Sequence, residues 1–377
     1  MKNMQMICSL TVCLFLTGCW DMVELENRAF ISAIAIDAYE QDIEGAIRFH
    51  APDADYRFVA TVSVPSSGTD TESGTALTAT ADTFMPALSM IRLGMPQQPY
   101  YGQAKVVVLG EGMLSDSELM RQAIDGMERN REISRKIIML ACEGNAAEIL
   151  KAELAGKPFG MYAANFYADR RAVLGVAFKK DLESVLLDVR HANGTIIPMV
   201  AVREGFVELS GAAIVRDFEL VSRLDDTEVR GLLLAKGKSE NARITTDFDG
   251  VRLPLRLASQ RAKLNFERTE QGLMCRLEIS TKGSIEGYLI NSDEDISSAE
   301  NVARLNELFA HEIANNVTAT FARLAETNVD GFGMFDRLRK FNYDLYEEFV
   351  QHKQIRLSDI IFVPVVDVRI TDVGATR

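Results

Sequence analysis

The sequence predicts a multi-domain protein of α/β and α+β class: a mixed α/β N-terminal domain followed by an antiparallel sheet packed on a long amphipathic helix. Three observations predict it. Up to about residue 190, short apolar strand-like runs alternate with capped helical runs, the pattern of a mixed α/β domain. Beyond "HANGTIIP" several strand-like runs follow one another, as in an antiparallel meander. Over residues 298–327 one apolar stripe recurs at three- and four-residue steps.

The chain opens with Lys2 and an apolar run from Met4 to Leu16, too short to span a bilayer and the right length for the core of an export signal. The end of the run, Leu16-Thr17-Gly18-Cys19, resembles a bacterial lipobox. Small residues there admit the chain to the lipoprotein signal peptidase, and the cysteine is needed because its sulfur carries diacylglycerol through a thioether. Residues 1–18 are therefore expected to be a lipoprotein signal peptide, with Cys19 as the lipidated first residue of the mature chain. Loss of Lys2 takes the formal charge from −13 to −14, so lipid rather than charge would hold the protein to a membrane. Trp20, the single tryptophan, suits a membrane interface and equally suits packing on the first domain.

Next, "RAFISAIAID" (28–37) and "RFVATVSV" (57–64) read as strands, followed by a loop of surface composition, "PSSGTDTESGT". Ala76 to Leu93 reads as a helix that Pro86 bends or interrupts. "AKVVVLG" and "KIIMLAC" read as buried strands. "SDSELMRQAIDGMERN" reads as a helix with Ser115 and Glu118 forming a capping box, and "NAAEILKAELAG" as a helix stopped by Gly156.

In the second half, "GAAIV" and "ELVSRL" flank a hairpin turn at Arg216-Asp217-Phe218, and Asp225 opens a short helix. "RLPLRLAS", "AKLNFER" and "LMCRLEISTKGSIEGYL" read as three strands, the last two joined at Glu270-Gln271-Gly272. Ser297 and Glu300 read as the capping box of the long helix, whose stripe is Val302, Leu305, Phe309, Ile313, Val317, Phe321 and Leu324. "IIFVPVVDVRI" is the final strand. The expected division is 1–18, 19–195 and 196–377, with 205–240 as an alternative small subdomain.

Composition narrows the function. An apolar fraction of 47% and a charged fraction of 25% are those of a soluble globular protein. Past Leu16 no run approaches the ~20 apolar residues of a membrane-spanning helix. A net charge of −13 repels nucleic-acid phosphates, which excludes nucleic acid as an electrostatic partner. Cys8, Cys13 and Cys19 lie in the first twenty residues, and Cys142 and Cys275 read as separate buried thiols. His50, His191, His311 and His352 are scattered and no CxxC exists, so no metal site is expected.

The enzyme motifs are missing as well: no G-x-S-x-G elbow, H-E-x-x-H helix or P-loop. "TTDFDG" (245–250) approaches a calcium loop, but Thr245 and Arg256 stand where ligands should be, and a hairpin turn explains it. Asp293, Glu294 and Asp295 read as an acidic approach to a helix N-terminus. His311 reads as a solvated helix residue rather than a base.

"CWDMVELENRAFISAIAID" resembles the start of mature Ger(x)C proteins, the lipoprotein C subunits of spore germinant receptors. The shared pattern is Cys19-Trp20-Asp21, then Glu24-Leu25, then a strand ending in Ile36-Asp37. Three further blocks agree in order. They are "YGQAKVVVLGEGML" through "REISRKIIMLACEGNAAEIL", then "GAAIVRDFELVSRLDDTEVRGLLLAKGK", then the long helix with "NVDGFGMFDRLRKFNYDLYEEF". The last carries Gly331 and Gly333, and Ala33 and Ala35 depart from the family in standing where it carries glycine. The resemblance implies no enzymatic activity and no cofactor beyond the acyl lipid on Cys19. It implies a place on the outer face of the spore inner membrane beside membrane-embedded A and B subunits, and motif or interaction roles for Trp20, Asp21, Glu24, Leu25, Asp37, Gly331 and Gly333. The alternative is a solute-binding lipoprotein of an importer, which predicts two comparable α/β lobes around a cleft.

Overall fold

A computed structural model describes residues 24–41, 43, 45–48, 55–65, 75–154, 157–168, 175, 177–204, 206–286 and 296–373. Cys19, Trp20, Asp21, His50, Gly156 and the Asp293–Asp295 run lie outside them.

Eight strands build the larger sheet: β1 (Ala33–Ala38), β2 (Phe58–Val64), β3 (Thr75–Ala81), β4 (Val106–Leu109), β5 (Ile138–Ala141), β6 (Thr195–Arg203), β7 (Phe206–Arg216) and β8 (Glu219–Leu224). They run in the order β8-β7-β6-β5-β4-β1-β2-β3, and the two-residue strand Ile47–Arg48 pairs beyond β3 as a ninth. β1, β4, β5 and β6 are parallel neighbours, and the hairpins on either side are antiparallel. The parallel centre is apolar at nearly every position because helices cover both of its faces. Period two then sorts the side chains. Ile34, Ile36, Val107, Leu109 and Met139 face α1 (Phe84–Met90), α2 (Ser117–Arg129) and α5 (Leu182–His191). Ala33, Ala35, Val106, Val108 and Leu140 face α3 (Ala146–Lys151) and α4 (Phe159–Ala168).

The smaller sheet contains β9 (Arg243–Phe248), β10 (Val251–Thr269), β11 (Gly272–Ile285) and β12 (Ile361–Asp372), in that order. The first three form an antiparallel meander, though not of the three strands expected, and β12 joins β11 in parallel. α6 (Asp226–Ala235) and α7 (Ala299–Thr327) pack on it, followed by α8 (Met334–Phe341). Along α7, Leu305, Phe309, Ile313, Val317 and Leu324 are fully buried, with Val302 and Phe321 packed against the same core, so the predicted stripe is the contact face. β9 is a strand that the sequence reading lacked, and the turn after it is the expected hairpin: Asp249 and Gly250 both have positive φ, and Gly250 N–H donates to Asp247 Oδ1 at 3.0 Å.

Several local expectations are corrected. Residues 75–81 are strand rather than helix: β-branched Thr75, Thr78 and Thr80 pair with β2, and the helix starts only at Phe84. Pro86 then falls in the first turn, where its missing N–H leaves no gap. "RLPLRLAS" and "AKLNFER" are one strand, β10, with a bulge between Leu257 and Ser259. α2 is capped by Asp116, which accepts from the Glu118 and Leu119 N–H groups, while Ser115 closes the preceding helical turn with its hydroxyl donating to Glu111 O. α7 is capped by Ser298, which accepts from Asn301 N–H, instead of by Ser297. α3 ends at Lys151, before the expected stop. Asp225 opens α6 as read, forming a capping box with Glu228, and the turn at Asp217 and Phe218, both with positive φ, is the expected one.

The expected boundary between 195 and 196 falls at the first bond of β6. Ile197, Met199, Ala213 and Val215 point into the N-terminal core. From the same strands Ile196, Ala212 and Ile214 point into the core of the smaller sheet. One wing of the larger sheet thus belongs to both hydrophobic cores.

Candidate functional site

Among the predicted positions, Glu24 precedes a single 3-10 turn, Leu25–Asn27, and its carbonyl accepts from Asn27 N–H. Leu25 is 68% exposed. Asp37 closes β1 and is buried, with each carboxylate oxygen accepting one N–H from the start of α3: Ala146 to Oδ1 at 2.7 Å and Ala147 to Oδ2 at 3.0 Å. It therefore caps a helix that begins 109 residues later. Burial outweighs those two hydrogen bonds and pushes its pKa up to about 6. Gly110 is required beside it, since a Cβ there would lie 2.0 Å from Asp37 Oδ1.

The second half repeats the device at a residue that sequence reasoning missed. Asp330 is buried and accepts from Met334 N–H at 2.8 Å and Phe335 N–H at 2.7 Å, so it caps α8. Burial raises its pKa above the usual carboxylate value against those hydrogen bonds and the attraction of Lys236. The flanking predicted glycines serve this turn. Gly333 has φ +77° at the N-cap of α8. A Cβ on Gly331 would lie 2.6 Å from Ile196 Cδ1. Phe332 packs at 5.8 Å from Phe362 of β12, which itself stacks on Phe321 of α7 at 4.2 Å. An Asp four residues ahead of an amphipathic run was the available signal. Asp37 and the two glycines are not brought together; they brace separate places.

Where the halves meet, the Asp330–Gly331 segment lines a cavity of about 740 Å³. The N-terminal half contributes Tyr167, Phe178 to Lys180, Ser184, Asp188 and Gly194 to Ile196; α6 and its C-terminus contribute Leu232, Leu233 and Lys236 to Lys238. Lys180 is 8% exposed and pairs with Asp188, which also accepts from Thr195 Oγ1 at 3.2 Å. Lys236, at the end of α6, has no carboxylate within ion-pair distance among the described residues. Lys236 as a whole is exposed, but the protein packed around its ammonium, and then Lys180, lower its pKa. The Tyr167 hydroxyl is buried with no hydrogen-bond partner among the described residues.

Cys142 and Cys275 are buried, unpaired thiols, each pushed up to about 12 by burial. His311 is exposed and shares a 3.2 Å contact with Asn315. Among the described residues no group of three or more His, Cys, Asp or Glu could hold a metal, and no helix is long and apolar enough to cross a membrane.

Fold and cavity define a multi-domain α/β protein whose polar chemistry is spent on capping and on one junction cavity. Comparison with known proteins then places it. The model of the spore germination protein N-terminal domain matches residues 21–202, and that of the spore germination B3/GerAC-like C-terminal domain matches residues 210–374. The chain belongs to the Ger(x)C family of spore germination proteins, and its role lies in spore germination.

Spore germination protein B3 of Bacillus subtilis (strain 168) is 20% identical over 373 residues, 96% of this chain and 95% of the relative. Spore germination protein YndF of the same organism is 23% identical over 256 residues, 63% of each chain, so this match spans less than two thirds of that relative. The crystal structure of the GerBC protein superimposes with a TM-score of 0.55 at 17% identity, covering 83% of this chain and 93% of that one, which shows a shared fold.

Proposed function

We propose that this chain is the lipid-anchored C subunit of a nutrient germinant receptor, working through contacts with membrane-embedded A and B subunits rather than by catalysis. The observation that carries the reading is the ordered match of both family domains, the first beginning at residue 21, two residues after the lipobox cysteine. A diacylglycerol thioether on Cys19 would set the protein on the outer face of the spore inner membrane, with more than one acyl chain giving stable attachment. The importer reading is less well supported: it calls for two comparable lobes, whereas a nine-stranded sheet here stands beside a four-stranded one and shares a wing with its core.

Cys19→Ala tests the anchor. It should abolish incorporation of labelled palmitate and release the protein from spore membranes, and a variant that stays membrane-bound and labelled would refute it. Affinity capture of the wild-type chain from solubilised spore membranes should recover two polytopic partners.

A further inference from the structure

We infer that the junction cavity is a binding site for a small organic monocarboxylate with an apolar body, its carboxylate held by Lys236. This goes beyond the receptor reading and does not depend on it. Charge is the first argument. In a chain of net charge −13, four lysines line this cavity (Lys179, Lys180, Lys236 and Lys238) against three acids, Asp188, Glu240 and Asp330.

Asp188, half-buried, and Asp330, buried, are already engaged. Asp188 is taken by Lys180 and Thr195, and Asp330 has an N–H on each oxygen. Lys236 is left as a cation with no carboxylate within ion-pair distance among the described residues, on the solvent-open side of the cavity, where one charge-assisted hydrogen bond outweighs a neutral one. The Tyr167 hydroxyl supplies a second polar group without a partner among the described residues.

The rest of the lining selects the body of the ligand. Phe178, Ile196, Leu232, Leu233 and Val329 are apolar, so the cavity suits one anionic group on an apolar frame better than a multiply charged phosphate. A volume of about 740 Å³ lies within the range of small-molecule sites.

The test uses the full-length protein and phenylacetate as probe, with 2-phenylethanol as its neutral counterpart and inorganic phosphate as an anion without an apolar body. Calorimetric titration should show phenylacetate binding and roughly tenfold or weaker binding of the other two. Lys236→Met should weaken phenylacetate by about tenfold or more, while Lys282→Met, an exposed lysine on β11, should leave it unchanged. Bound phenylacetate should also slow acetylation of Lys236 by acetic anhydride in the wild-type protein, read by mass spectrometry, and leave Lys282 unaffected. That last measurement serves even if Lys236→Met fails to fold. Equal binding of acid and alcohol, tighter binding of phosphate, no binding, or no protection of Lys236 would overturn the proposal.

Discussion

Asp37 and Asp330 are carboxylates buried to hold helix starts, one 109 residues away in sequence and the other four residues on. The cost is visible in pH dependence. The folded pKa of Asp37, about 6, lies above its unfolded value near 3.8, so its contribution is fully present below about pH 4 and is lost as pH rises through 6. Asp37→Asn keeps an acceptor and removes the charge. The wild-type-minus-variant difference in urea stability should fall by roughly 3 kcal/mol between pH 4 and 7. A difference that stays flat would show that the buried carboxylate is not what titrates.

The two family glycines should separate by mechanism. Gly331→Ala pushes against Ile196 and Leu324 and should cost about 1–3 kcal/mol by overpacking. Gly333→Ala meets open space and should cost about 1 kcal/mol of left-handed strain. Equal losses in thermal denaturation would contradict this. Resemblance marked Asp37, Gly331 and Gly333, but their jobs were not legible, because the helix that Asp37 caps lies 109 residues away and the wall beside Gly331 comes from β6. Asp116 and Ser298 show the same limit on a short scale: the sequence pattern does not say which of two adjacent polar residues turns its oxygen to the helix start.

Elements were legible where one pattern persisted. The α7 stripe survives eight turns and sits where its period put it, so Phe309→Ala should cost about 3–5 kcal/mol whereas Leu308→Ala, 36% exposed, should cost about 0.5 kcal/mol or less by chemical denaturation. β3 was misread because "TALTATA" offers alanines that fit either period, and pairing with β2 decided the outcome. β10 looked like two strands because its bulge shifts the alternation by one residue halfway along.

At the scale of the whole molecule, the wing β6–β8 makes the two halves one object. Because each of its faces closes a different core, melting either core strips a face from the other. Calorimetry should therefore show one transition whose calorimetric and van't Hoff enthalpies agree; two resolved transitions would show that the wing does not couple them. The hairpin itself was read correctly from its turn, but the sheet it would join was not. A run such as "GAAIV", buried at every position, announces that both faces are covered without saying by what.

The parallel pairing of β12 with β11 has a consequence for the order of assembly. Met274 meets Ile361 only after α7 and α8 have been looped out between them, so this pair closes at a large entropic distance and late in folding. Until it does, β11 presents a bare edge along the length of its pairing with β12, with unpaired backbone groups open to another chain. The last dozen described residues thus act as a clasp, and a newly made molecule is most prone to self-association in the interval before it shuts.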